Sequence, residues 1–262
     1  MGTSEKYALV TGGTSGIGYE LAKLFAENGY NLILVARTEK DLEIAAANLK
    51  QFDIEVISFA VDLFDYAKAY EVYAALKLNG ISPEILVNDA GQGVYGKFRE
   101  TSIQREIDII NLNIISLVIL TKLFIEDRTA KSGKILNLSS IASKAPGPWN
   151  SVYHGTKAFV QSFSEAIREE LAEEEITVTT LLPGPTATDF FNKANMNQSK
   201  ILQDKLSDPA DVARDGFEAL MRGDDKVISG FKNKVQVAMS NLSTDKAAAH
   251  RMGEMQKPTN LP

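Results

Sequence analysis

Short apolar runs alternate along the chain with segments in which apolar residues recur every three or four positions. The runs read YALV, NLILVA, EVISFAV, EILVN, KILNLS, TVTTLL and finally KVIS. Between them, helical patterns cover Ile17 to Asn28, Lys40 to Phe52, Asp65 to Leu78, about Ser102 to Arg128, about Val152 to Glu174, and Asp208 to Met221. This alternation predicts parallel strands joined by crossover helices. The expected fold class is α/β, a doubly wound and mostly parallel sheet of seven strands with helices on both faces. Asp208 before Pro209 marks one helix start, because an N-cap acceptor followed by proline satisfies or removes donors that a first turn leaves unpaired. The long segment carries Ile107, Ile109, Leu112, Ile115, Leu117 and Leu120 on more than one face. Such a helix is buried on two sides, one of them against the sheet.

Composition narrows this picture. The 262 residues contain no linker rich in Pro, Gly or Ser and no charge block, so one domain over 1–262 is expected. Lys and Arg total 28 against 34 Asp and Glu, a net charge of -6 with both signs spread along the chain, which argues against a nucleic-acid partner. Cysteine is absent, which removes disulfides and thiolate metal sites and fits the cytosol. The two histidines, His154 and His250, lie far apart, and no metal is assigned. No apolar leader precedes YALV, and Ser, Thr and Lys interrupt the stretch around IISLVIL, so no membrane span is expected. The tail 244–262 is polar enough to be partly mobile.

In a doubly wound sheet, ligands bind beyond the carboxyl ends of the strands, so residues after each run form one set. The first member is TGGTSGIG, which places Thr11, Gly12, Thr14, Ser15, Gly16, Ile17 and Gly18 between a strand and a helix. Glycine lets the backbone turn with positive φ and lets a pyrophosphate approach the unpaired first amides of the helix. The bland alternative is a tight packing turn. The second member, after NLILVA, is Arg37 and Thr38 where an NAD site would carry a carboxylate. A guanidinium there pairs with a 2′-phosphate and favours NADP(H) over NAD(H). Asp62 and Leu63 follow EVISFAV, and Asp62 either accepts from an adenine amino group or caps the next helix. Asn88, Asp89, Ala90 and Gly91 follow EILV and leave room for a flat ring. Finally, Ser139 and Ser140 end KILNLS, and Tyr153 and Lys157 stand four apart on one helical face. A nearby ammonium lowers the pKa of a phenol towards the range useful for proton transfer. An isolated Tyr-x-x-x-Lys is more often an ordinary amphipathic pair; this one is not isolated.

Taken together, TGGTSGIG, VNDAG, INLN, NLSS, YHGTK and LLPGPTATD resemble, in order and spacing, the short-chain dehydrogenase/reductases. The resemblance covers about Tyr7 to Asp189 and implies a Rossmann-like, NAD(P)-dependent oxidoreductase acting on a small carbonyl or alcohol. It makes Tyr153 the general acid/base and gives Lys157 both the tuning of Tyr153 and the nicotinamide ribose. Ser140, thirteen positions before Tyr153, orients the substrate oxygen, and Asn111 of INLN holds a relay water. Pro183, Gly184, Thr186 and Thr188 fix the carboxamide, and residues 190–206 form a substrate lid. A homodimer or homotetramer is also implied, through the second apolar face of the long helix. The sequence departs from the family's pattern at Asp89, where a second asparagine is usual, and at Ile114, where glycine is common. The prolines and Trp149 of APGPW either line the substrate mouth or plug a loop. His154 is read as a rim or interface residue, and the segment from Gly230 as a further short helix, over the site or at a subunit contact. With Asn111, Ser140, Tyr153 and Lys157 all present, a reductase is favoured over its rival, a nucleotide-binding sensor or scaffold without turnover.

Overall fold

The structure is a computed structural model and describes residues 6–128, 132–241 and 244–259. The ends of the expected single domain, 1–5 and 260–262, and the end of the Gly230 segment at Leu242 lie outside the described residues. In chain order the elements are β1 (Tyr7–Thr11), α1 (Gly16–Glu27), β2 (Asn31–Ala36), α2 (Glu39–Leu49), β3 (Val56–Ala60), α3 (Ala67–Leu78), β4 (Ile85–Asn88) and α4 (Ile103–Asp127). Then follow β5 (Gly133–Leu138), α5 (Ser151–Glu170), β6 (Ile176–Leu182), α6 (Pro209–Arg222), β7 (Lys226–Ile228), α7 (Phe231–Asn241) and α8 (Asp245–Gln256). The seven strands form one parallel sheet in the order β3-β2-β1-β4-β5-β6-β7. The chain therefore reverses direction across the sheet between β1 and β4, which opens a crevice beyond their carboxyl ends.

The strands read as continuous apolar runs because helices cover both faces. Ala8 and Val10 of β1, with Leu32 and Leu34 of β2, pack against Leu21 and Phe25 of α1, Leu42 of α2 and Val212 of α6. Their neighbours Leu9, Ile33 and Val35 turn to the opposite face, against Val72 of α3, Leu120 and Phe124 of α4 and Ile167 of α5. Asp208 caps α6 as expected, its Oδ1 accepting from the Ala210 amide at 2.8 Å.

Three regions add detail to the expectation, and the C-terminal one departs from it. The helix α4 covers the expected segment over 25 residues; Ser116, Thr121 and Lys122 break its apolar run, yet by length and apolarity alone it would suffice to cross a membrane. Here Leu117, Leu120 and Phe124 are buried within the protein. Its middle, Asn111–Ser116, is a wide π turn, a device common where a side chain must be re-aimed at a site. Where a polar, partly mobile tail was expected, α8 forms a helix with Ala248, Met252 and Gln256 buried. The segment after Gly230 is the helix α7, whose Val237 packs against Ile141 and Leu182 beside the crevice.

Candidate active site

The turn from β1 into α1 is shaped by what its glycines touch. Gly12 and Gly16 have φ of +72° and +57°, and a Cβ on Gly16 would lie 2.9 Å from Thr188 Cγ2. A Cβ on Gly18 would meet Asp89 Oδ2 at 2.4 Å and the Gly12 carbonyl oxygen at 2.6 Å. Ser15, the N-cap of α1, makes no side-chain cap bond, and no acidic residue sits in the first turn. The positive end of α1 thus faces the crevice, with the Gly18 amide bonded to Asp89 and no side-chain cap from Ser15, which suits a phosphate.

A cavity of about 240 Å³ runs from this turn to the Ser140 and Tyr153 side chains, and brings together most of the expected residues. Gly12, Ser15, Gly16, Ile17, Ala90, Gly91, Ser140, Tyr153, Lys157, Pro183, Gly184, Thr186 and Thr188 all line it. Others stand behind it. The Thr11 hydroxyl accepts from the Asp89 and Ala90 amides, both at 3.1 Å, so it sets the bend after β4 from inside the core. Asn88 is buried and donates to Asn137 Oδ1 at 2.8 Å and Thr121 Oγ1 at 3.1 Å; it ties β4 to β5 and α4 and does not line the cavity. Gly18 supports the turn from below, and Thr14 is half-buried outside the lining. Arg37 and Thr38 are exposed at the end of β2, with the guanidinium 5.4 Å from the Phe64 ring centroid. Asp62 accepts from the Phe64 amide at 3.1 Å, so it caps its turn, and Leu63 is buried with its carbonyl accepting from Ser116.

At the other end, the Ser140 hydroxyl caps the Ala142 amide at 3.1 Å and hydrogen-bonds Tyr153. Ser139 also borders the cavity, and its hydroxyl donates to the Lys157 carbonyl at 2.7 Å, fixing α5 to β5. The Lys157 ammonium donates to the Leu138 carbonyl at 2.7 Å and stands 5.9 Å from the Tyr153 ring centroid. Burial pushes the Tyr153 phenol up to about 12, the Ser140 hydrogen bond opposing it. Burial also pulls Lys157 down to about 8, against the attraction of Asp89. In the protein's own geometry, burial outweighs the lowering of the phenol expected from the sequence. A positive ring in the cavity would act in the direction still required.

The asparagine assignment needs correction. Neither Asn111 nor Asn113 lines the cavity; Asn111 is half-buried, whereas Asn113 is buried. Asn113 Oδ1 accepts from the Gln92 amide at 3.0 Å, and its Nδ2 donates to the Gln92 carbonyl at 2.9 Å and Thr156 Oγ1 at 3.0 Å. Asn113 Oδ1 and Lys157 Nζ each lie 3.3 Å from where a Cβ on Gly91 would be. Two residues along a helix turn the side chain by about 200°, so the two asparagines cannot share a face. Of the two, Asn113 is the one placed beside Gly91, Gln92 and Lys157. The place read as Ile114 then falls on Ser116, whose small side chain donates to the Leu63 carbonyl at 2.7 Å.

The remaining wall lies beyond residue 190. Phe190, Phe191, Met196, Ile201, Met252, Met255 and Gln256 line it, the Phe190 ring 5.0 Å from Tyr153. His154 lines the cavity, but it is buried and holds α8 in place rather than standing at an exposed rim. Its Nδ1 lies 2.8 Å from the Ala145 carbonyl, which only accepts, so Nδ1 carries the proton and Nε2 accepts from Gln256 Nε2 at 2.7 Å. Tyr95 and Ser199 donate to the Gln256 carbonyl as well. Trp149 lies outside the lining and stacks on Tyr95, with ring centroids 6.1 Å apart.

Residues 6–199 match the family model described as short chain dehydrogenase. The chain belongs to the short-chain dehydrogenase family. A very-long-chain 3-oxoacyl-CoA reductase of Rattus norvegicus is 33% identical over 194 residues, 70% of this chain and 60% of that protein. The chain thus spans about 60% of the length of this curated relative. Among solved structures, a short-chain dehydrogenase from Sphingobium yanoikuyae in complex with NADPH is 26% identical with a TM-score of 0.80, covering 90% of this chain and 94% of that one. L-sorbose reductase from Gluconobacter frateurii, complexed with NADPH and L-sorbose, is 26% identical with a TM-score of 0.77, covering 88% and 97%. Short-chain dehydrogenases are oxidoreductases that use a nicotinamide dinucleotide, a group against which this chain can be tested. Its residues fit one: the positive end of α1, the glycines that a Cβ would obstruct, and the lysine and tyrosine one cavity away.

Proposed function

We propose that the protein is an NADP(H)-dependent reductase that converts the carbonyl of a flexible, largely apolar substrate into a secondary alcohol. The observation that carries this is the single cavity joining Ser140, Tyr153 and Lys157 to a wall of Met196, Met252, Met255, Phe191 and Ile201. Methionine and aromatic side chains adapt to a chain-like substrate better than to a polar one. The names of the relatives support a 3-oxoacyl thioester as the first compound to try.

A bound nicotinamide supplies or takes the hydride. The protein does the rest. Ser140 holds the substrate oxygen, Tyr153 gives that oxygen its proton, and Lys157 places positive charge beside the phenol. Asn113 fixes the loop after Gly91 against α5 through Gln92 and Thr156. Arg37, exposed at the end of β2 with no carboxylate in its place, supports the preference for a 2′-phosphate.

The test follows nicotinamide absorbance with NADPH and NADH against 3-oxoacyl thioesters, aldehydes, ketones and diketones. Turnover with NADPH is expected, and Tyr153→Phe should lower it by about 10²–10⁴-fold while leaving NADPH binding intact. Faster turnover with NADH would remove the role given to Arg37, and tight NADPH binding without turnover would favour a sensor or scaffold. Exposed Ile103 and Ile107 on α4 and the stacked Phe159 and Phe163 on α5 support a homo-oligomer, to be checked by light scattering. A cytosolic location is part of the same proposal, checked by fractionation.

A further inference from the structure

Asp89 is a titratable group that the proton-transfer scheme leaves unused. Its carboxylate hydrogen-bonds the Gly18 backbone N–H, the third residue of α1, so a strand on one side of the crevice caps the helix on the other. It packs so closely beneath the turn that Cβ atoms on Gly12 and Gly18 would come within 2.8 and 2.4 Å of Oδ2. It is half-buried and lines the same cavity as Ser15, Gly16 and Ile17, so water reaches it only through the space a dinucleotide would fill. The charged groups facing it are Lys157 of α5 and Lys193 of the turn at Phe190–Lys193. The Tyr153 phenol and the Asp189 carboxyl line the same cavity.

These contacts put two anions in competition for one helix end. The donors and dipole at the start of α1 favour a pyrophosphate, and the Asp89 carboxylate already occupies one of those donors. A dinucleotide would bring negative charge to the turn and displace the water around the carboxylate; both effects disfavour the ionised form. Burial pushes Asp89 up, and with Lys157, the Gly18 N–H and Lys193 opposing the rise it stands at about 7. A protonated carboxyl still accepts from Gly18 through its carbonyl oxygen, so the turn keeps its support when the charge is removed.

Resting on the dinucleotide reading above, we propose that Asp89 is a proton-linked positioning residue, which takes up a proton as the reduced dinucleotide binds and gives it back on release. An asparagine here would still accept from Gly18 and would remove this proton uptake. The carboxylate makes affinity fall as pH rises.

The experiment is calorimetric titration of the wild-type protein and Asp89→Asn with NADPH near pH 8, in buffers of different ionisation enthalpy, with the dissociation constant followed by fluorescence from pH 6 to 9. The wild type should take up about half a proton or more per NADPH, and its affinity should fall by up to about tenfold per pH unit above neutrality. Asp89→Asn should take up distinctly less, the remainder falling on Lys157, and bind more tightly than wild type at pH 9, the two converging at pH 6. The 2′-phosphate titrates near pH 6, as phosphate monoesters do, and contributes equally to both proteins. Equal uptake in the two proteins, or a wild-type affinity flat with pH, would overturn the proposal. Absence of any binding heat or fluorescence change would overturn the dinucleotide reading itself, and this one with it.

Discussion

The wall of the cavity made by strand ends and the wall made after residue 190 hold their side chains by different means. At the strand ends, position follows from the backbone: β1 is registered against β4 through Thr11↔Asn88, and Thr11 Oγ1 then fixes the Asp89 and Ala90 amides. No long side chain has to choose a rotamer for the glycine turn to face the crevice. Beyond residue 190, by contrast, placement depends on a few side-chain pins, of which Gln256 carries three contacts, to His154, Tyr95 and Ser199. The family match ends at residue 199, so most of this second wall lies outside it. The difference suits the two tasks. A rigid frame serves a ligand of fixed shape, and a pinned, methionine-lined cap can be reshaped for a substrate without disturbing that frame.

The largest effect expected from this comparison is on the strand-end side. Asn113→Ala orphans both backbone groups of Gln92, each buried group costing about 1–3 kcal/mol, and removes one donor from the Thr156 hydroxyl, which keeps its bond to the Tyr153 carbonyl. Thermal unfolding should shift down by several degrees, and turnover should fall by about 10²-fold. Asn111→Ala should change both by less than about twofold or one degree. Equal effects from the two substitutions would restore Asn111 to the site. On the cap side the effect should be smaller and of another kind. Gln256→Ala removes one pin, so the KM for substrate should rise by about tenfold, the equivalent of one lost buried hydrogen bond, while NADPH affinity stays unchanged. A matching loss of NADPH affinity would mean that the two walls are not separable.

The strands were legible because a parallel sheet covered on both faces leaves runs such as NLILVA and KILNL wholly buried. The catalytic end was legible because Ser140, Tyr153 and Lys157 lie near one another in the chain. The asparagine was misplaced because two candidates stood two residues apart in a helix apolar all round, where hydrophobic periodicity does not choose a face. The signal was present in the misfit at Ile114. Sliding the assignment by two puts the small Ser116 there. The C-terminal helix escaped notice for a different reason: its buried stripe is Ala248, Met252 and Gln256, four apart but with only one strongly apolar member. The contact that gives Gln256 its place is with a residue 102 positions away, and nothing local announces it.

The smallest expected effect probes that long-range pin through pH. His154 donates from Nδ1 to Ala145 and accepts at Nε2 from Gln256, an arrangement that exists only for the neutral ring. Adding a proton to Nε2 would set two donors face to face. Gly147 leaves the imidazole little freedom, since a Cβ there would lie 2.1 Å from His154 Cδ2. Burial accordingly holds the His154 pKa below its ordinary value, with the Ala145 and Ala142 backbone contacts opposing. The sign follows: the unfolded chain takes up its proton near the ordinary histidine value of about 6.5, and the folded protein does so only at lower pH. The stability from this residue is therefore present above that pH and lost as pH falls through the interval between the two values. Thermal unfolding from pH 7.5 to 5 should show the wild type losing more stability than His154→Gln, which does not titrate, and the loss should coincide with a rise in substrate KM. Parallel pH profiles for the two proteins would show that α8 is held by its other contacts and that His154 only fills space.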